Sequence, residues 1–193
     1  MHKSPPKWSM DEVLTTIRSW GSNHTMTIKE LTCKLAMLCA LSAGSRCAEL
    51  SNLDTRYLIR RPNGMYFKLM KHKKNRSNTV HPGEVVFATI LDKTICPCYC
   101  IEAYLERTND WRDTPEDPLF RGTIAPHKGV SSCTISRYIT HCIQESGVIT
   151  GSHNMGHTAR GVAASMAAFK GLSTQEIMND VEWKSEMTVK TLL

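Results

Sequence analysis

Several things are missing from this sequence, and each absence closes a class. No apolar run comes near the roughly twenty residues of a helical membrane span, so none is expected. The first ten residues, MHKSPPKWSM, hold no apolar stretch of the kind a secretory leader needs, and export is not expected either. No internal repeat and no low-complexity segment is present, which sets aside solenoids and disordered tails. Aromatic residues are scarce at 7% and stand mostly in apolar contexts, whereas proteins that read RNA by stacking expose them. One further absence is local: from Asp54 to Glu84 there is no acidic residue between the two.

What is present fits a soluble domain. A chain of 193 residues with 41% hydrophobic and 22% charged residues is long enough for one proper core. Without a leader, its eight cysteines read as reduced thiols used as small core residues. The run Cys96, Cys98, Cys100 is the one to weigh as a zinc site. Paired zinc ligands are usually two or more residues apart and need a second pair, so C-x-C-x-C is poor spacing; the start of a helix packing on the core is the plainer expectation.

The acid-free stretch carries Arg56, Arg60, Arg61, Lys68, Lys71, Lys73, Lys74 and Arg76, within a chain of net charge +6. A solvated loop normally mixes signs. A one-sign stretch builds a field that attracts phosphates, and on charge alone DNA or RNA competes with a basic hairpin that has no partner.

The order of elements reads helix, helix, hairpin, helices. Ser9 with Asp11 and Glu12 starts a helix that ends at Gly21. Thr27-Ile-Lys-Glu30 is a capping box opening a core helix, with Ile28, Leu31, Leu35 and Leu38 at helical spacing, that ends near Gly44. A short helix follows over 45–53. Tyr57 to Arg61, the turn Pro62-Asn-Gly64, and Met65 to Met70 predict a hairpin, with Val85-Val-Phe-Ala as a third strand. Helices are predicted from Cys96 or Pro97 through Leu105, from Ser131 or Ser132 to Gly147, and from about Met155 to Lys170. Thr108 to Pro118 reads as a loop, and Ser173-Thr-Gln-Glu176 as a second capping box. The class is mainly α with a small antiparallel β-sheet (α+β).

Within GSHNMGHTARGVAAS, His157 and Arg160 stand at i and i+3 and share a helix face. Such a pair can clamp an anion or be a surface pair without a role. Taken in order, Arg46, Lys73, His157-x-x-Arg160 and Trp183 resemble the tyrosine recombinase (phage integrase) catalytic domain. The segment LAMLCALSAGSRCAEL (35–50) is similar to the region around that family's first arginine, with Glu49 at its acidic position. GHTARGVAASMAAFKGLSTQEIMNDVEW (156–183) is similar to its second box. The wording is nearest to the DIRS-type and Crypton-type mobile-element recombinases of eukaryotes, and the resemblance spans roughly residues 8 to 193.

The resemblance implies a single catalytic-type domain over 1–193, acting in DNA recombination and DNA integration, with double-stranded DNA as partner, assembly as a homo-oligomer on DNA, and the nucleus as its location. Arg46 and Arg160 would offer planar forks to the phosphate oxygens. His157 would add a hydrogen bond or handle a proton. Lys73 would protonate the leaving oxygen; Lys71 and Lys74 compete for that role, and K-K-N-R favours Lys73. Trp183 would pack on the phosphate site or donate its N–H, and Glu49 would orient Arg46 or His157. Arg56, Arg60, Arg61, Lys71, Lys74 and Arg76 would contact the DNA backbone. No metal and no cofactor is implied, because the protein supplies the positive charge.

The family's nucleophilic tyrosine should fall nine or ten residues after the tryptophan, where Leu192 and Leu193 stand, and the five tyrosines are residues 57, 66, 99, 104 and 138. Leucine offers no nucleophile, and the family's N-terminal core-binding domain has no counterpart in the sequence. The sequence therefore fits a fragment, a decayed element copy or a domesticated DNA-binding module. Remoter readings are a tyrosine lent by a partner protomer and a non-enzymatic domain that binds RNA or acidic protein.

Overall fold

The computed structural model describes residues 8–69, 83–112, 116–147, 158–159 and 161–163. Of the predicted helix from Met155 only 158–159 and 161–163 are described, and they are helical; the second capping box and the residues Lys71, Lys73, Lys74, Arg76, His157, Arg160 and Trp183 lie outside the described residues.

Helix α1 spans Met10–Ser19 and buries Val13 and Ile17, one turn apart. Ser9 occupies the N-cap with an extended backbone but makes no side-chain capping bond, so Asp11 and Glu12 in the first turn answer the helix dipole in its place. Helix α2, Ile28–Ala43, opens on the expected capping box: Glu30 N–H donates to Thr27 Oγ1 at 3.2 Å, and Thr27 N–H to Glu30 Oε2 at 2.7 Å. It ends where Gly44 adopts a left-handed φ of 56°. The apolar face read from the sequence is too narrow for this helix. Every residue from Leu31 to Ala40 is buried, including Thr32 and Lys34, because α2 packs at once against the helices Pro97–Arg107 and Ser132–Glu145 and the strand Glu84–Ala88.

A four-residue helix α3, Cys47–Leu50, follows. Thr55–Tyr57 then forms a 3₁₀ turn where the strand was predicted to begin, and β1 covers Leu58–Arg61. Strands β2 (Gly64–Lys68) and β3 (Glu84–Ala88) complete an antiparallel sheet in the order β1-β2-β3. Met65 pairs with Phe87 and Phe67 with Val85, all four facing the core, with the two phenylalanine rings edge to face at 5.9 Å.

The hairpin is where the sequence predicts it, but Gly64 has a different reason. It pairs with Arg61 inside the ladder, and a Cβ there would lie 2.3 Å from the Phe87 carbonyl oxygen. The glycine permits close approach of β3 rather than a left-handed turn.

Helix α4, Pro97–Arg107, starts with proline at its first turn, and α5, Ser132–Glu145, is capped by Ser131 and followed by Gly147 at a φ of 80°. Between them the predicted loop contains a 3₁₀ turn, Asn109–Trp111. Cys96, Cys98 and Cys100 all lie in the core, and the Cys98 thiol donates to the Phe87 carbonyl. Burial pushes the Cys100 thiol up to about 12, which suits an inert packing residue.

Candidate functional site

Arg46 sits at the junction between the most buried helix and the sheet. Gly44 turns the chain out of α2, and Arg46 takes the extended N-cap position of α3. Arginine has no side-chain acceptor to cap a helix. The capping comes instead from Glu49 three residues on, whose Oε2 accepts the Arg46 backbone N–H at 2.8 Å. Its other oxygen, Oε1, accepts from the Arg46 guanidinium Nη1 at 3.0 Å. One carboxylate thus holds both the backbone and the side chain of Arg46. The Glu49 side chain is 15% exposed and the Arg46 side chain 47%, so the acid is set inward and the fork outward. Among the described residues the guanidinium makes no bond besides that to Glu49. Glu49 thus bonds Arg46, the first of its two expected partners, while the second, His157, lies outside the described residues.

The expected backbone-contacting arginines on this sheet divide into two kinds. Arg56 lies against Asp54, with Nη2 to Oδ2 at 2.6 Å, and Arg60 against Glu102 of α4, with Nε to Oε1 at 2.7 Å. Asp54 borders the acid-free stretch and Glu102 comes from a distant element, so the local charge of the stretch is lower than its sequence suggests. Arg61 instead lies over the Tyr66 ring, 4.5 Å from its centroid, and forms no ion pair among the described residues. Lys68, two residues beyond Tyr66 on β2, is exposed. The backbone bond from Leu69 N–H to Gly83 O, 2.8 Å, carries the β2–β3 pairing one residue further toward the segment that holds Lys71, Lys73, Lys74 and Arg76.

Two arrangements have no counterpart in the sequence reading. Arg112 and Arg121 converge on Asp117 next to α4. Arg112 Nη1 donates to Asp117 Oδ1 at 2.5 Å and to the Pro118 carbonyl, and Nη2 donates to the Leu119 carbonyl. Arg121, 2% exposed, donates to the Glu116 carbonyl at 2.9 Å and the His127 carbonyl at 3.3 Å. Burial alone would raise the Asp117 carboxyl, but hydrogen bonds from Thr55 and Arg112 outweigh it and hold the group below the usual carboxylate range. The second arrangement joins Trp8 to Thr158 through a 2.9 Å bond across 150 residues of sequence. A threonine beside a histidine gives no sign of a distant tryptophan, and neither arrangement had a local signal.

No known family model matches this sequence, and no curated protein matches it. Solved structures do. XerA recombinase aligns over 98% of this chain with a TM-score of 0.69 at 16% identity. The XerH site-specific recombinase bound to its palindromic difH substrate aligns over 98% with a TM-score of 0.67 at 15% identity. A lambda integrase dimer bound to a core site aligns over 98% with a TM-score of 0.59 at 17% identity. The chain spans 59%, 50% and 60% of the length of these three proteins. Its helices and its one three-stranded antiparallel sheet have the fold of the tyrosine recombinase catalytic domain.

Proposed function

We propose that this chain is a DNA-binding domain of the tyrosine recombinase kind that grips a backbone phosphate of duplex DNA. The observation that carries the reading is Arg46: a half-exposed guanidinium, fixed by an inset carboxylate, in the segment that resembles the family's first arginine box. A guanidinium held at one N–H and open at the others is a preorganised fork for two oxygens of one phosphate. Arg160 supplies the second fork and His157 a hydrogen bond to the same phosphate. Lys73 stands for the lysine at the leaving oxygen, and Trp183 packs on or donates to the phosphate. Arg61, Lys68, Lys71, Lys74 and Arg76 provide contacts along the backbone. Arg56 and Arg60 join them by exchanging their carboxylate partners for phosphates.

The recombination reading extends to integration of a mobile element, to the nucleus as the place of action and to assembly of copies on DNA. It rests on the two box resemblances and on the recombinase fold, with XerH and lambda integrase having been seen on DNA. The wording of the boxes favours the DIRS-type and Crypton-type elements. Leucine at the positions where the family has its tyrosine makes phosphate gripping, rather than strand cleavage, the activity proposed for these residues.

Affinity for duplex DNA across a salt series, wild type beside Arg46→Ala and Arg160→Ala, tests this. The expected outcome is an affinity that falls steeply with salt and drops roughly tenfold in each variant, the loss of a charge-assisted hydrogen-bond pair. Wild-type affinity in both variants, or no affinity at low salt, would sink the reading.

A further inference from the structure

We infer that Trp8 is a positioning residue for the His157-x-x-Arg160 segment, an inference that rests on the phosphate reading above. Trp8 is 6% exposed and belongs to the core, yet its indole Nε1–H is satisfied by Thr158 Oγ1 at 2.9 Å. A buried indole N–H needs a partner, so this bond is costly to lose. Thr158 follows His157 in sequence and stands two residues before Arg160.

The composition of the segment makes the bond matter. Residues 158–159 and 161–163 are helical and consist of Thr, Ala, Gly, Val and Ala. Ala159 and Val162 are buried, but small side chains bury little area and slide easily over an apolar surface. Gly161 weakens helix formation by roughly 1 kcal/mol relative to alanine. Thr158 is the residue among these five whose side chain carries a hydrogen-bonding group. A directional bond at one end of this helical run adds to the packing of Ala159 and Val162 and fixes its rotation and height more narrowly than those small side chains alone. Trp8, just ahead of α1, thereby ties the start of the described chain to the segment that bears the second phosphate fork.

The test measures duplex DNA affinity for the 193-residue protein and five variants: Trp8→Phe, Thr158→Val, Thr158→Ser, Arg160→Ala and the double variant Trp8→Phe/Arg160→Ala. Phenylalanine keeps the buried ring and removes the donor; serine keeps the acceptor and valine removes it. The expected outcome is a loss of about fivefold for Trp8→Phe and for Thr158→Val, with Thr158→Ser near wild type. The Trp8→Phe loss should vanish when Arg160 is already alanine, since the two then act through one contact. Wild-type affinity in Trp8→Phe while Arg160→Ala loses affinity overturns the inference and leaves the phosphate reading standing. An undiminished Trp8→Phe loss in the Arg160→Ala background also overturns it, because the tryptophan would then act on general stability. Unchanged affinity in Arg160→Ala overturns the phosphate reading, and this inference with it.

Discussion

Arg46 and Arg121 are the same side chain in opposite circumstances. Arg121 is buried, and its guanidinium donates to two backbone carbonyls and to Asp117, which Arg112 shares. Arg46 is half exposed and answers to one carboxylate. The first arrangement spends its donors inside the protein and ties Asp117 to the Glu116 and His127 carbonyls. The second restrains the fork without saturating it. A positive charge is available to a ligand only in proportion to the donors the fold leaves open, and the count of arginines in a sequence does not report that.

The contrast can be broken at several points. Arg121→Ala is expected to cost about 3 kcal/mol or more, because it empties a buried site and leaves a part-buried carboxylate and two carbonyls short of a donor. Arg46→Ala, expected to lower DNA affinity, is expected to change stability by under about 0.5 kcal/mol, since Glu49 still caps the α3 backbone. Thermal unfolding of the two variants side by side checks both, and an Arg46→Ala protein as unstable as Arg121→Ala would erase the distinction.

A smaller effect follows from Asp117. Its folded value lies below its unfolded one, so its contribution is complete above the ordinary carboxylate value of about 3.9 and fades as pH falls through the folded value. Urea titrations of wild type and Asp117→Asn should therefore differ most near neutrality and converge as pH falls through the folded value. A gap that stays constant with pH would mean that the carboxylate charge is not what Arg112 and Thr55 hold.

One substitution should bring a gain instead. Lys34 is fully buried, its Nζ has no hydrogen-bond partner among the described residues, and burial pushes its ammonium down. Lys34→Met should stabilise the protein by about 1 kcal/mol, with the gain growing toward acid as the buried amine is forced to charge. A loss of stability would mean that the amine has a favourable contact.

Much of the fold was legible because its signals are local. The Thr27–Glu30 box, the Ser131 cap, the glycines after α1, α2 and α5, and the alternation of β2 and β3 each depend on residues a few positions apart. The role of Gly64 was not legible, since the neighbour that demands it is a carbonyl on β3. Lys34 was invisible for the converse reason: a helix face is read from its apolar residues, and a lysine stem can be buried on any side of a helix packed all round. For the site, Arg46 and Glu49 stood out through spacing and resemblance. Arg60 did not reveal its partner, because Glu102 lies 42 residues away on another element. Pairing across the fold sets which cations remain free, and no local window contains it.

The double use of Glu49 has a kinetic side. The same carboxylate closes the first turn of α3 and holds the Arg46 guanidinium, so fraying of that turn and release of the fork are one opening event. An anion that binds only the held fork must then suppress the opening by the factor one plus its concentration over its dissociation constant. Occupancy of the site is written into the amide hydrogen exchange of Glu49 and Leu50, whose N–H groups bond back to the Arg46 carbonyl. A four-residue helix too short to matter for stability becomes the place where binding can be timed.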